Sequence, residues 1–295
     1  MKKLVLSTLA VLALMLTTQM NAQSDKGLFF SVNGGYNFSS ASQNLSSNST
    51  RTSNSSSSST VRTEALIEGS YGKGFNFGGA VGYMFNKNIG AELGINYLVG
   101  GEITGSRVEN NSGASFSDNY ISEGKSSAKM LQFRPTIILS AGLDKINPYA
   151  KFGILIGSGS IEQSTNGTSK SINSFGGSTI TNSSTSDSTF KADGGTAIGF
   201  HSALGLSLNV NKNMSIFVEL NMVNMSYAPT KGTQTSYNVN GVDQLSSLTI
   251  SSTQLEFVDS TNSSDVQLPT NPTKVLKENY AFSSFGINFG LKYSL

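Results

Sequence analysis

The chain has 295 residues, no cysteine, a formal net charge of +2 and only 13% charged residues, about half the usual share in soluble domains. A net charge so close to zero argues against a nucleic-acid partner. The lack of cysteine excludes a small exported module held together by disulfides. With no cysteine and a single histidine, we expect no transition-metal site and no cofactor.

The first residues have the layout of a secretory signal peptide. Lys2 and Lys3 precede the apolar run 4–16, and a polar stretch then leads to the small residue Ala22. The apolar run is shorter than the roughly 18 residues that a membrane-spanning helix requires. We therefore predict an exported protein in which residues 1–22 are a signal peptide, residues 23–295 form a single domain, and no helix serves as an anchor.

The remaining chain contains segments in which every second residue is apolar. In the last of them, Phe285, Ile287 and Phe289 alternate with Gly286 and Asn288. A period of two indicates a β-strand with one apolar face. The same pattern predicts eight strands, at residues 28–38, 75–85, 89–99, 130–143, 149–157, 196–210, 214–227 and 284–295.

The connections between these predicted strands alternate in length. Asn-Lys-Asn at residues 86–88 and again at 211–213 is a short turn, as is the segment 144–148, and such turns favour residues that tolerate positive φ. The other four connections are long and rich in Ser, Thr and Asn. They cover residues 39–70, 100–128, 158–195 and 228–279. The first contains almost nothing to bury, so we expect it to be mobile or glycan-covered and not a packed domain, whereas residues 245–260 of the last alternate enough to extend strands or form a small hairpin.

Strands of about 10 residues with one apolar and one polar face meet the requirements of a membrane-spanning β-barrel. We therefore predict an all-β fold: an eight-stranded antiparallel up-and-down transmembrane β-barrel with short periplasmic turns and long extracellular loops. A soluble β-sandwich or a lipocalin-like barrel also alternates in this way. The many glycines opposite the apolar face favour the membrane barrel over these soluble folds.

Eight strands, both termini at the short-turn end and a Gly-rich, aromatic final strand resemble the small OmpA/OmpX/OmpW-type outer-membrane barrels of Gram-negative bacteria. In the final strand, Gly290, Tyr293 and Leu295 are similar to the assembly signal of that family, although Leu295 stands where Phe or Trp is usual. The resemblance implies location in the cell outer membrane. It also implies outer-membrane lipid, lipopolysaccharide and the outer-membrane assembly machinery as partners.

Counting by alternation places five charged side chains inside the predicted barrel. We expect the opposite charges to pair and to plug the lumen, because eight strands leave an interior that side chains can fill. The alternative is a gate on a narrow conduction path. The five residues are Glu92, Arg134, Lys151, Glu219 and Lys292.

Two further residues of the predicted strands raise specific expectations. His201 also faces inward, whereas Ser202 faces outward, so we expect His201 to fill space and not to act as a catalytic base. Pro135 removes a backbone donor inside a predicted strand, which predicts a β-bulge that re-aims Arg134.

Two short patterns in the long connections resemble acceptor sites for O-glycosylation. They are Asp-Ser-Thr triplets at residues 187–189 and 259–261. Ser188 and Ser260 are therefore candidate modification sites, while ordinary solvated loop is the simpler interpretation.

Two classes of function remain open. The first is a non-enzymatic structural or surface-interaction role, in which the loops meet an extracellular ligand or an envelope protein. The second is a narrow channel or transporter for small solutes or small apolar molecules. Because the predicted inward positions are mostly Gly, Asn, Ser and charged residues, the sequence favours the first class.

Overall fold

The computed structural model describes residues 27–262 and 267–295, so the predicted signal peptide lies outside the described residues. Nearly all regular structure is β-strand. None of the helices in these two ranges is long and apolar enough to cross a membrane. The elements are β1 (Gly27–Ser39), β2 (Gln43–Asn54), β3 (Ser59–Gly69), β4 (Gly74–Met84), β5 (Ile89–Gly100), β6 (Ile103–Ser112), β7 (Phe116–Ser140), β8 (Ile146–Phe175), β9 (Ser178–Asp193), β10 (Ala197–Asn209), β11 (Met214–Tyr227), β12 (Lys231–Val239), β13 (Val242–Asp243), a 3-10 helix (Leu245–Ser247), α1 (Ile250–Thr253), β14 (Gln254–Val258), β15 (Thr273–Leu276), β16 (Tyr280–Ala281) and β17 (Ser284–Ser294).

Eight of these strands pair into a closed circuit, which we call the ring. β1 pairs with β4, β4 with β5, β5 with β7, β7 with β8, β8 with β10, β10 with β11, β11 with β17, and β17 returns to β1. Every one of these pairings is antiparallel. Each predicted strand overlaps one ring strand in the predicted order. The predicted total of eight strands is too low, because the other nine of the seventeen strands lie within the long connections.

The ring strands alternate between an exposed apolar side and a buried side. On β1, Phe30 and Val32 are 46% and 60% exposed, whereas Phe29 and Ser31 are buried. β10 shows the same alternation, with His201 buried beside an exposed Phe200. Because successive residues of a strand point to opposite faces, the outside of the ring is a belt of apolar side chains. An exposed apolar surface of this extent marks a face that contacts something other than water.

Inside the ring, large side chains lie over glycines of the neighbouring strand. A Cβ atom at Gly82 would come within 2.3 Å of the ring of Phe29, and one at Gly290 within 2.3 Å of the ring of Phe217. A circuit of eight strands leaves an interior only just wide enough for side chains. A large residue on one strand therefore requires a residue without a side chain on the next. Gly205 and Tyr149 form a third pair of this kind.

Beyond the ring, on the side of the long connections, the strands form an open sheet that we call the protruding sheet. β7 and β8 run through both parts, paired from Ser140 and Tyr149 at the short-turn end to Phe116 and Asn173 at the far end. β2 and β3 form a hairpin, and β2 lies parallel to β6. On the other side, β9 pairs with β8 and β12, and β14 follows β12.

The first long connection, which we predicted to be mobile or glycan-covered and not a packed domain, is mostly β-strand. Residues 43–54 and 59–69 are the strands of the β2–β3 hairpin. Their Ser, Thr and Asn side chains bury little apolar surface, so the alternation used to find strands is missing. The backbone pairs nevertheless, because the extended β7 and β8 offer strand edges with free donors and acceptors.

The β-bulge predicted at Pro135 is absent. In the pairing of β5 with β7 the register runs unbroken through Pro135, which lies opposite Leu93. In the pairing of β7 with β8, residues 134 and 135 have no paired residue on β8, and pairing continues at Thr136 in the same register. Pro135 has no backbone N–H to donate, so the pairing with β8 is interrupted there. No extra residue is inserted, and the interruption is therefore not a bulge. Arg134 therefore keeps its inward position.

Candidate functional site

Three charged side chains meet inside the ring and form what we call the ion triad. Lys151 Nζ on β8 lies 2.9 Å from Glu92 Oε1 on β5 and 2.7 Å from Glu219 Oε1 on β11. The hydroxyl of Tyr149 donates a hydrogen bond of 2.9 Å to Glu219 Oε1. Glu92, Lys151 and Glu219 are only 8%, 9% and 4% exposed. Two buried carboxylates thus share one ammonium group.

The other two residues of the predicted charge cluster lie apart from these carboxylates. Arg134 donates hydrogen bonds to the side-chain oxygens of Gln132 and Asn96. Lys292 Nζ lies 5.5 Å from the centre of the Phe29 ring, a cation–π contact. Within the described residues neither cation is in ion-pair contact with a carboxylate. The structure therefore brings together three of the five predicted residues.

His201 lies in a buried polar layer of the interior. It is 6% exposed, and neither of its ring nitrogens has a hydrogen-bond partner within the described residues. A catalytic base would need a nucleophile or a substrate proton within hydrogen-bond reach. In this arrangement His201 forms no base–nucleophile pair. Other buried polar side chains of the interior are Asn76, Asn96, Asn221 and Asn288.

An apolar layer closes the interior at the end of the long connections. Leu98, Met130 and Leu155 are 0–1% exposed and come from β5, β7 and β8. The ring of Phe282 lies 5.8 Å from that of Tyr71 and 5.7 Å from that of Tyr227. This layer was not predicted from the sequence, although apolar residues do occupy the inward positions at the upper ends of these strands. The apolar layer consists of Tyr71, Leu98, Ala128, Met130, Leu155, Ile161, Ala197, Val223, Met225, Tyr227 and Phe282.

At the short-turn end the interior opens into a cavity that we call the vestibule. It has about 470 Å³ of atom-free space, including its open mouth. Its walls combine apolar, hydroxyl and charged groups. They are formed by Phe29, Ser31, Met84, Glu92, Ile138, Ser140, Asn147, Tyr149, Lys151, Ser207, Phe217 and Lys292.

The residues of the proposed assembly signal lie on both sides of β17. Gly290 faces inward beneath Phe217, whereas Tyr293 faces outward and is 48% exposed. Leu295 is 57% exposed, and its backbone N–H donates to Leu28 O at 2.9 Å. The end of the chain is therefore fixed to β1 and presents its apolar side chains outward.

The two candidate glycosylation residues lie in different surroundings. Ser188 lies within β9, between the paired residues Thr165 and Tyr237, and is half-buried. Ser260 follows β14 and is exposed. Exposure makes Ser260 the more accessible of the two.

Several charged residues of the protruding sheet are paired with one another. Lys125 Nζ lies 3.2 Å from Glu102 Oε1, and the hydrogen bond to this carboxylate raises the pKa of Lys125. Arg107 and Glu109 form a similar pair at 2.5 Å. Pairs this exposed contribute little to stability.

Across residues 27–262 and 267–295, no group of three or more His, Cys, Asp or Glu side chains is arranged to hold a metal ion. The interior is instead a stack of three zones. From the short-turn end these are the vestibule with the ion triad, the polar layer and the apolar layer.

Comparison with solved structures gives weak overall similarity to small outer-membrane proteins. Neisserial surface protein A is 11% identical at a TM-score of 0.34, over 94% of this chain and 100% of its own. Ail, the attachment invasion locus protein of Yersinia pestis, is 8% identical at 0.31, over 93% and 100%. CarO2 of Acinetobacter baumannii is 12% identical at 0.26, over 90% and 99%. No curated protein sequence matches this chain.

A family profile gives the stronger result. The profile described as outer membrane protein beta-barrel domain matches residues 8–243, which is most of the chain. This family agrees with the closed ring and with its exposed apolar belt. The chain therefore belongs to the outer membrane protein β-barrel domain family and is a protein of the outer membrane.

Proposed function

We propose that the ring is an eight-stranded up-and-down transmembrane barrel that holds the protruding sheet outside the cell as a surface for interaction. The observation that carries this proposal is the continuation of β7 and β8 far beyond the ring. β8 extends 18 residues past Gly157, which at the usual rise of a strand is roughly 60 Å. An extension of this length serves no purpose in closing the ring.

The direction of insertion follows from the two ends of the ring. The short turns occupy one end, and all of the protruding sheet occupies the other. In bacterial barrels the short turns are periplasmic and the long connections are extracellular. We therefore place outer-membrane lipid and lipopolysaccharide against the apolar belt. The assembly machinery then acts on β17, where Tyr293 and Leu295 face outward.

Cysteine labelling of intact cells is expected to report this orientation. The chain has no cysteine, so a single introduced thiol reacts without background. Ser57→Cys, at the exposed tip of the β2–β3 hairpin, should react with a membrane-impermeant maleimide on intact cells. Lys212→Cys, in an exposed short turn, should react only after the outer membrane is permeabilised. Labelling of the Lys212 position on intact cells would reverse the proposed orientation.

The interaction role predicts that adhesion depends on the protruding sheet and not on the ring. A variant in which Asn166–Asp187 is replaced by an Asn-Gly turn shortens the paired β8–β9 hairpin and leaves the ring pairings unchanged. Cells that display it should insert it normally but bind less to plates coated with extracellular-matrix protein. Surface amounts are equalised by maleimide labelling at Ser57→Cys in both backgrounds. Equal binding by the full and shortened proteins would contradict a role for this hairpin.

The alternative function is a narrow path for small solutes or small apolar molecules. The apolar layer supplies the apolar inner surface that such a path would need. Its members are, however, packed against each other with exposures of 3% or less. This packing supports a closed lumen over an open one.

The unpartnered nitrogens of His201 support a non-enzymatic role.

A further inference from the structure

Among the described residues, the vestibule wall contains one cation, Lys292, that forms no ion pair. Of the five charged side chains at inward positions, Glu92 and Glu219 supply two negative charges, and Arg134, Lys151 and Lys292 supply three positive charges, a sum of +1. Lys151 is compensated within the ion triad. Arg134 is held by two side-chain amide oxygens in the interior. Lys292 lines the vestibule together with Glu92 and Lys151, forms no ion pair within the described residues, and has the ring of Phe29 beside its ammonium group.

A hydroxyl group of the same wall is also unused. Ser207 is 3% exposed, and its Oγ has no hydrogen-bond partner within the described residues. A buried hydroxyl without a partner is costly and uncommon. β11 alone separates β10, which carries Ser207, from β17, which carries Lys292. Phe217 of β11 is paired with Ser207 on one side and with Gly290 on the other.

The rest of the wall gives the vestibule an amphiphilic character. Phe29, Phe217 and Ile138 form apolar surface beside the two polar groups. Glu92 also lines the cavity; its Oε1 is paired with Lys151, whereas its Oε2 has no hydrogen-bond partner within the described residues.

We propose that the vestibule binds a small organic anion, namely a short-chain carboxylate. The carboxylate group accepts hydrogen bonds from Lys292 Nζ and Ser207 Oγ, and the alkyl chain lies against Phe29 and Phe217. The anion enters from the short-turn end, because the apolar layer closes the other end. This site is separate from the protruding sheet, so its existence does not depend on the interaction role proposed above.

The test is a titration of the full chain in lipid nanodiscs, with methionine methyl groups labelled for NMR. Met84 lines the vestibule, whereas Met222 faces outward and is 52% exposed. Butyrate should shift the Met84 methyl signal in a saturable way and leave that of Met222 unchanged. Butyramide, which has the same shape without the charge, should produce no saturable shift.

Variants identify the groups responsible. Lys292→Met keeps the stem and removes the charge, and it should weaken butyrate binding by about tenfold or more, since hydrogen bonds to charged groups are the strong ones. Ser207→Ala should weaken binding by a smaller factor. Lys212→Met, in the exposed turn at the same end, is the matched control and should bind like the unaltered protein.

Two results would overturn the proposal. One is a Met84 signal that does not saturate with butyrate, or that responds equally to butyramide. The other is undiminished binding in Lys292→Met. If Lys292→Met fails to fold, the proposal is tested by butyrate binding to Ser207→Ala and by the comparison of butyrate with butyramide in the unaltered protein.

Discussion

Replacing Lys151 with methionine is expected to lower the unfolding temperature of the protein sharply. The substitution keeps most of the side-chain volume but leaves Glu92 and Glu219 buried without the ammonium group that they share. Removing one partner of a buried ion pair costs about 3–5 kcal/mol. Samples are heated to increasing temperatures and run on gels without boiling. The readout is the temperature at which the faster-migrating folded band disappears, checked by circular dichroism.

Lys292→Met is the matched control for this experiment. It removes an inward charge of the same type, but Lys292 has no carboxylate in ion-pair contact within the described residues. Its unfolding temperature should stay close to that of the unaltered protein. Adding Glu219→Gln to Lys151→Met should recover part of the loss, because one stranded charge is removed. If both lysine variants unfold at the same temperature, the ion triad does not support the ring.

The ring is expected to pass no ions in planar bilayers, and Lys151→Met should also stay closed. The reason is that the apolar layer, and not the ion triad, forms the continuous barrier across the interior. Apolar constrictions exclude water and with it ions. The double variant Met130→Ser, Leu155→Ser places two hydroxyl groups and free volume in this layer. It should show ion conductance where the unaltered protein shows none.

Leu131→Ser controls for the chemistry of this change. Leu131 is the neighbour of Met130 on β7, but it faces outward and is 53% exposed, so its replacement should leave the interior closed. The compact gel mobility of each variant shows that it has folded before its conductance is recorded. Steady conductance of the unaltered protein would favour the channel alternative over the interaction role.

The ring could be predicted from the sequence because its strands have two chemically different sides. Phe285, Ile287 and Phe289 face the apolar exterior, whereas Gly286 and Asn288 face the narrow interior. The exposed turn residues of 86–88 and 211–213 mark one end in the same way. These signals are local, so a single sequence carries them.

The protruding sheet could not be predicted in this way. In β2 and β3 both faces are mostly polar, so no alternation distinguishes strand from loop. What makes them strands is the edge offered by neighbours far away in the chain. The parallel pairing of β2 with β6, for example, joins Asn48 to Ser106.

The candidate site was only partly predictable for a related reason. Alternation determines which side of a strand Lys151, Arg134 and Lys292 occupy. It does not determine their position along the axis of the ring relative to charges on other strands. That position depends on the stagger of each pair of strands. The stagger brings Lys151 to Glu92 and Glu219 and leaves the other two cations without a carboxylate contact in the described residues.

The pairing of large side chains with glycines inside the ring also limits how the sequence can diverge. A Cβ atom at Gly82 meets not only Phe29 but also the backbone oxygen of Ala91 at 2.8 Å, and one at Gly290 meets not only Phe217 but also that of Val32 at 2.4 Å. Each aromatic partner lies on a different strand, more than 50 residues away in the chain for the first pair and more than 70 for the second. A smaller partner alone therefore does not free either glycine, so homologous rings should keep both glycines even where the large residue on the neighbouring strand changes.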